Sequence, residues 1–229
     1  MKSNKHYVKM ENCKVTQDGL RQSIPPKSMM RGLGLDYPPR EIKNCLYAFY
    51  KQEVEKRKNK MIFTDQLKNI ISDIGDFLTI EDRKYGLFLP GYVGNGKTTM
   101  MKAIRDVIAY LTEKGKISYY ECSKYPYFIT ANQMVNILIS DLTEYRKMKG
   151  SKFLFIDELG SEQTKVSTYG MVYRPFYDVL SYRYENMLPT FISSNLSPSD
   201  IKEKYEDDRV VDRMREMFKI ISFKIDSYR

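Results

Sequence analysis

Hydrophobic residues along the last three quarters of the chain follow two different spacings. Short, continuous apolar runs at 85–89, 153–156 and 190–193 are typical of buried strands in a parallel sheet. Between them, apolar residues recur every three or four positions, and over 96–115 this spacing predicts an amphipathic helix. The inward-facing positions of that helix are Met101, Ile104, Val107, Ile108 and Leu111.

The same pattern, combined with helix-capping and turn signals, predicts the remaining elements. We expect helices over 40–60, after Thr64 or Asp65, after Thr130, around Val172–Asn186, after Ser197 and over 207–218, with further strands within 119–129 and 219–224. Alternating strands and helices specify a three-layer α/β fold with a mostly parallel sheet. We place a domain boundary near residue 60, between an irregular to helical extension (1–60) and the main domain (61–229).

Composition is typical of one soluble domain with a sizeable core. The chain has 229 residues, 42% of them hydrophobic and 29% charged, and contains no apolar run of the roughly 20 residues that span a bilayer. The polar N-terminus carries no secretory signal, so we expect a cytoplasmic protein without a membrane partner. Three scattered cysteines and one histidine exclude a disulfide framework and a zinc ligand set.

The positive charge is concentrated at the N-terminal end. Of the formal net charge of +9, residues 1–60 carry +8, with 14 Lys and Arg against 6 Asp and Glu. Such a segment suits an acidic partner, either nucleic acid or an acidic protein surface. A solvated arm whose charge only aids solubility explains the same composition, and both interpretations stay open.

A glycine-rich segment between the first strand and its helix fits the phosphate-binding pattern G-x-x-x-x-G-K-[ST]. In such loops backbone N–H groups and the positive end of the helix face the phosphates. We expect Lys97 to reach the β- and γ-phosphates and Thr98 to ligate Mg²⁺. The predicted nucleotide-binding residues are Gly91, Gly94, Asn95, Gly96, Lys97, Thr98 and Thr99.

Two carboxylates follow the apolar run Phe153–Ile156. Asp157 and Glu158 would lie at the carboxyl edge of the sheet, where ligands bind in open α/β folds. We predict that Asp157 holds Mg²⁺ and that Glu158 orients and deprotonates the attacking water. An ordinary turn at a strand end is the alternative. A carboxylate placed for water favours hydrolysis of ATP over transfer to a small acceptor, the reaction of a P-loop kinase.

Further motifs resemble the AAA+ ATPases. The stretch Thr190–Asn195 resembles the strand that ends in the sensor I residue of that family, which implies that Asn195 bridges the γ-phosphate and the lytic water. From the residues alone, the segment from Ser194 to Ser197 also reads as a helix-capping turn.

The C-terminal motifs resemble the DnaC-like replicative helicase loaders. The run Asp208–Arg215 matches their R-V-x-D-R-M/L helix, and Ser222–Arg229 matches their D-S-Y-R ending. The resemblance implies that Arg213 is an arginine finger acting on a neighbouring subunit, with Arg209 as second choice, and that Arg229 is a sensor II residue. The alternative for Arg209 and Arg213 is a solvated helix face paired with nearby acids.

The resemblance implies an AAA+ ATPase that self-associates through its ATP site and loads a hexameric replicative helicase onto single-stranded DNA. Residues 1–60 would contact the helicase, by position alone. The polar segment 160–170 offers Lys165 and Tyr169 either as DNA contacts or as parts of a surface loop. Other functions fit the motifs: an IstB-type transposition helper, an ATP-regulated binding adaptor with little turnover, or a small-molecule kinase.

Overall fold

A computed structural model describes Leu33, Leu35 and residues 37–79, 84–117 and 126–223. Its main sheet contains β1 (Gly86–Pro90), β2 (Tyr127–Thr130), β3 (Leu154–Leu159), β6 (Thr190–Ser194) and β7 (Phe218–Ile220). The strands lie in the order β2-β3-β6-β1-β7, and every neighbouring pair is parallel. The predicted parallel sheet is therefore confirmed.

Eight helices in the described residues connect and cover these strands. They are α1 (Pro39–Glu55), α2 (Asp65–Thr79), α3 (Lys97–Glu113), α4 (Ala131–Ser140), α5 (Leu142–Gly150), α6 (Pro175–Glu185), α7 (Pro198–Tyr205) and α8 (Asp208–Met217). Apolar side chains of α1, α2 and α3 pack on one face of the sheet. Those of α4 to α8 pack on the other face. Helices on both faces make the expected three-layer α/β fold.

Alternation along the strands divides the apolar residues between the two layers. On β1, Leu87 and Leu89 belong to the α1–α3 core, whereas Phe88 belongs to the opposite core. On the α1–α3 side, the rings of Phe155 and Phe191 stack at 4.3 Å between centroids. All five of these residues are almost fully buried, so the centre of the sheet is held by packing on both sides.

Helix α1 lies on the N-terminal side of the expected boundary near residue 60. Its Ile42, Leu46, Tyr50 and Val54 are buried in the same core as α2 and α3. The division into 1–60 and 61–229 stays a prediction. The packing adds that residues 39–55 cannot be removed without exposing the apolar surface of α3.

Two departures from the predicted elements have local causes. The helix expected around Val172 begins at Pro175, because proline is tolerated in the first turn and not in a helix interior. Before it, β4 (Val166–Thr168) and β5 (Met171–Tyr173) form an antiparallel hairpin where a loop was expected. Its turn residues, Tyr169 and Gly170, both have positive φ, 51° and 71°.

Three further segments differ from expectation. Helix α5 was not predicted, because its sequence, Leu-Thr-Glu-Tyr-Arg-Lys-Met-Lys-Gly, presents only Tyr145 and Met148 as buried apolar positions. The closing strand expected over 219–224 is short: β7 ends at Ile220, and Phe223 adds an isolated parallel bridge to Gly91. The strand expected within 119–129 begins at Tyr127, and 118–125 lie outside the described residues.

At the amino edge of the sheet a single arginine joins several chain segments. Arg183 of α6 is fully buried, and its guanidinium donates to Thr190 Oγ1 at 2.7 Å and to the carbonyl oxygens of Ser151 and Pro189 at 2.7 and 2.6 Å. Burial lowers the pKa of this guanidinium to about 9.

Within the described residues, no helix is long and apolar enough to cross a membrane.

Candidate nucleotide site

The loop Gly91–Gly96 joins β1 to the N-terminus of α3 at the carboxyl edge of the sheet. Gly94 and Gly96 have φ of 84° and 92°, which side chains disfavour. A Cβ on Gly96 would also lie 2.6 Å from Tyr50 Oη. The glycines of the motif are therefore required by the backbone and by the close approach of α1.

Lys97, the first residue of α3, is 7% exposed and reaches back across this loop. Its Nζ donates to the carbonyl oxygens of Gly91 and Tyr92 at 2.7 and 2.6 Å, and to Asn195 Oδ1 at 2.9 Å. Burial lowers the pKa of the ammonium, and the carboxylates of Asp157 and Glu158 partly oppose this shift. Its partners are thus neutral oxygens at the edge of a cavity.

Two neighbouring acids at the carboxyl end of β3, Asp157 and Glu158, differ in burial. Asp157 is 4% exposed and accepts a short hydrogen bond from Ser193 Oγ, whereas Glu158 is exposed. A bulge puts Glu158 out of register: three steps from Ile156 to Leu159 oppose two on β6. Glu158 has φ 57°, and its backbone N–H donates to Ser193 Oγ at 3.1 Å. The Ser193 hydroxyl therefore fixes both acids.

Most of the predicted site residues meet at one cavity of about 160 Å³. Those that line it are Gly94, Asn95, Gly96, Lys97, Thr98, Thr99, Asp157, Glu158 and Asn195. Gly91 contributes through its carbonyl bond to Lys97 and its bridge to Phe223. Asn95 also fixes the loop, because its side-chain amide donates to the Phe223 carbonyl oxygen.

The oxygen donors of this cavity fit a magnesium site completed by phosphates. Among the described residues no group of three His, Cys, Asp or Glu side chains could hold a metal by itself. Mg²⁺ usually binds through one or two protein oxygens together with substrate phosphates and water. Thr98 and the buried carboxylate of Asp157 line the cavity together and supply such a pair.

The two arginines predicted as fingers lie elsewhere, in a cluster with a third. Arg174, Arg209 and Arg213 place their guanidinium carbons 5.2, 5.0 and 5.3 Å from the ring centroid of Tyr177. The hydrogen bond from Arg213 is the largest cause of a lowered pKa of the Tyr177 hydroxyl; burial opposes this shift, and Ser181 and the charges of Arg213 and Arg209 add to it. We call the three arginines and Tyr177 the arginine cluster.

The partners of the arginine cluster distinguish its members. Asp207 Oδ2 pairs with Arg174 at 2.7 Å and with Arg209 at 3.0 Å. Arg213 instead donates to the neutral Ser181 hydroxyl at 2.5 Å, and its ion pair with Glu185 is 3.9 Å long. Arg213 is therefore the cluster member whose charge is least compensated.

Comparisons with known proteins identify the fold and the relatives. No family model matches the chain. The replicative helicase loader DnaI of Bacillus subtilis is 31% identical over 122 residues, which cover 52% of this chain and 36% of DnaI. The initiator DnaA of Geotalea daltonii is 26% identical over 183 residues, covering 66% and 39%. The chain spans less than two-fifths of each relative.

Solved structures give the same picture. A DnaC helicase loader superposes with a TM-score of 0.54 at 21% identity, covering 72% of this chain and 93% of DnaC. AMPPCP-bound DnaA from Aquifex aeolicus gives 0.51 at 18% identity, covering 72% and 49%. The domain has the AAA+ fold. The resemblance to DnaC-like helicase loaders is confirmed.

Some features of this AAA+ domain were missed from the sequence. Tyr50 and Val54 of α1, with Arg57 and Asn59 after it, line the nucleotide cavity, and so does Ser193. The charged run 53–60 gave no signal of this, because only tertiary packing brings α1 beside the loop.

Three of the described residues predicted for the site, Gly91, Arg209 and Arg213, are not part of this lining. Arg209 and Arg213 are on α8 and outside the described lining, and Arg229 lies outside the described residues. Lys165, just before β4, and Tyr169, in the turn between β4 and β5, are exposed, and Tyr169 Oη donates to the Ile139 carbonyl oxygen at 2.9 Å.

Proposed function

We propose that this chain binds and hydrolyses ATP with Mg²⁺ and uses it to load a replicative helicase onto single-stranded DNA. The observation that carries the ATP part is the convergence of Lys97, Asp157 and Asn195 on one cavity at a helix N-terminus. Such a site attracts phosphate through N–H groups, the helix dipole and a fixed cation. The buried Asp157 has no place in a site for phosphate alone.

In this proposal Lys97 exchanges its loop carbonyls for β- and γ-phosphate oxygens, while Thr98 and Asp157 hold Mg²⁺, which supplies charge neutralisation. Glu158 orients the attacking water and accepts its proton. Asn195, already bonded to Lys97, contacts the γ-phosphate. Ser193 keeps the two acids at their separate depths.

The cavity lining also includes groups suited to the base and ribose. Tyr50 and Val54 provide apolar surface, and Arg57 and Asn59 provide polar groups. Thus α1 and the residues after it would contact the nucleoside, whereas the N-terminus of α3 binds the phosphates. Mutation of Arg57 should weaken binding of ATP more than binding of inorganic triphosphate.

We propose that Arg213 acts on the nucleotide of a neighbouring copy, so that hydrolysis requires self-association. Its weak pairing compared with Arg209 supports Arg213 as the first choice. Arg229 as a sensor II residue remains part of the proposal by resemblance.

A mixing experiment tests this arrangement. Chains carrying Lys97→Met or Arg213→Ala should each hydrolyse ATP poorly, and mixing them should restore part of the activity, because mixed interfaces combine one intact Lys97 with one intact Arg213. Arg209→Ala is the matched control on the same helix and should retain most activity. Failure of mixing to restore turnover would reject action in trans.

The helicase part rests on the resemblance to DnaI and DnaC. We propose that the basic N-terminal extension contacts the helicase and that single-stranded DNA is the nucleic-acid partner. The test measures unwinding of a short duplex by the replicative helicase of the same source, which must first be loaded onto an adjoining single strand coated with protein. Addition of the full chain with ATP should raise unwinding. A version with Lys2, Lys5, Lys9 and Lys14 changed to Ser should do so less well, without loss of ATP binding.

A further inference from the structure

The face of α1 that points away from the core forms one wall of an open groove. Arg40, Lys43, Asn44 and Tyr47 recur at the three- and four-residue spacing of one helix stripe. The opposite wall comes from Lys68 and Ile71 of α2, and Phe63, which precedes α2, also lines the groove. The groove has a volume of about 460 Å³, and we call it the α1–α2 groove.

Large apolar side chains are exposed along this groove. Phe63 is 50% exposed and Tyr47 37%, and their rings pack edge to face at 4.9 Å between centroids. Ile62, next to Phe63, is 59% exposed. Adjacent exposed aromatic and aliphatic groups of this kind mark contact surfaces, and aromatic residues often provide most of the binding energy there.

The charge of the groove has one sign. Its lining includes Arg40, Lys43 and Lys68 and no carboxylate. Asp76 neutralises Lys43 at 2.7 Å, but within the described residues Arg40 and Lys68 take part in no ion pair. A ligand of this groove therefore needs apolar groups to contact Phe63 and Tyr47 and acidic groups to pair with Arg40 and Lys68.

We propose that the α1–α2 groove binds an acidic amphipathic helix of a partner protein. Two antiparallel walls leave a channel of the kind that takes a helix with anchors at i, i+3 or i+4, and i+7. Single-stranded nucleic acid fits less well, because only two uncompensated cations line the groove and a phosphate backbone needs a positively charged track. The proposal deepens the partner-binding part of the proposed function without depending on ATP hydrolysis.

The test is fluorescence anisotropy of the full chain with a designed, labelled helical peptide that carries leucines on one face and glutamates on the other. We expect micromolar binding that weakens with salt, since screening reduces attraction between exposed charges. Phe63→Ser should weaken it about tenfold, and Arg40→Glu with Lys68→Glu by a similar factor. The matched control is Met171→Ser, which removes an exposed apolar side chain, 59% exposed against 50% for Phe63, from the β4–β5 hairpin.

Several outcomes would overturn the proposal: no binding of the acidic peptide, equal binding of a peptide with lysines in place of the glutamates, or equal binding by Phe63→Ser. Displacement of the peptide by an oligothymidylate would assign the groove to nucleic acid instead. A concentration-dependent dimer lost in Phe63→Ser would assign it to a second copy. Lys97→Met should leave peptide binding intact and Phe63→Ser should leave ATP binding intact, so failure here is distinct from failure of the ATPase proposal.

Discussion

Two cations are buried at opposite edges of the same parallel sheet, and their surroundings differ. Arg183, at the amino edge, is 0% exposed and directs its guanidinium at fixed backbone carbonyls and Thr190. Lys97, at the carboxyl edge, is 7% exposed and donates to loop carbonyl oxygens and to the side-chain amide oxygen of Asn195 beside a cavity. Burial lowers the pKa of both.

The two cations differ in whether a ligand could replace their hydrogen-bond acceptors. Every strong acceptor of Arg183 belongs to a segment that the fold itself fixes, so the arginine joins α6 to the starts of β3 and β6. The acceptors of Lys97 can be replaced by phosphate oxygens without unfolding anything. Burial of a cation therefore indicates a ligand site only where a cavity adjoins it.

We expect the largest loss of stability from Arg183→Met, which tests whether this arginine joins the surrounding segments. Loss of the guanidinium leaves several buried carbonyl oxygens without donors, at about 1–3 kcal/mol each, so unfolding free energy should fall by roughly 3 kcal/mol or more. The melting temperature should fall by about 6–12 °C, measured by calorimetry. ATP affinity at low temperature should change less than about twofold. A melting temperature close to that of the parent would show that the arginine does not join these segments.

Lys97→Met should give the opposite result. Charge-assisted hydrogen bonds to phosphate contribute about 1.5–3 kcal/mol, so ATP affinity measured by titration calorimetry should fall roughly 10- to 150-fold. Stability without ATP should change by less than about 1 kcal/mol, because a desolvated cation is removed together with its bonds. Lys102→Ala, on the same helix, is the control. If Lys97→Met bound ATP as tightly as the parent, the site assignment would be lost.

Ser193→Ala separates positioning from packing within the nucleotide site. Without the hydroxyl that joins Asp157 to the Glu158 backbone, turnover should fall about tenfold while ATP affinity changes little. Ser194→Ala is a matched control, because its hydroxyl donates to the Leu159 carbonyl oxygen and accepts from Leu196 N–H. Both variants should lose about 1–2 kcal/mol of stability. Equal loss of turnover in both would assign Ser193 a packing role only.

The comparison also shows what the sequence reveals and what it hides. Lys97, Asp157 and the sheet follow from local patterns, because a phosphate loop and a strand-end carboxylate are read within a few residues. Arg183 carries no such signal, since its acceptors come from segments up to 34 positions away. Tyr50 and Ser193 were hidden for the same reason, and the hairpin turn at Tyr169 was hidden because a tyrosine rarely adopts positive φ.

The smallest effect concerns the arginine cluster, where charge is compensated at the surface. Hydrogen bonds from Arg209 and Arg174 lower the pKa of Asp207 to about 2. Its contribution to stability is thus present above the ordinary carboxyl pKa of about 3.9 and is lost as pH falls towards about 2. Unfolding free energy should therefore fall more steeply over this range in the parent than in Asp207→Asn.

At neutral pH, Asp207→Asn should cost about 1 kcal/mol, because its Arg209 partner is largely exposed and pairs of this kind contribute little to stability. It should act more on function, because Arg174 and Arg209 lose their shared carboxylate and compete with Arg213 for the Tyr177 ring and for anions. Activity restored by mixing with the Lys97→Met chain should then decrease although Arg213 is intact. Unchanged restoration would show that Arg213 acts without its neighbours, and the arginine cluster would be three separate side chains on one tyrosine.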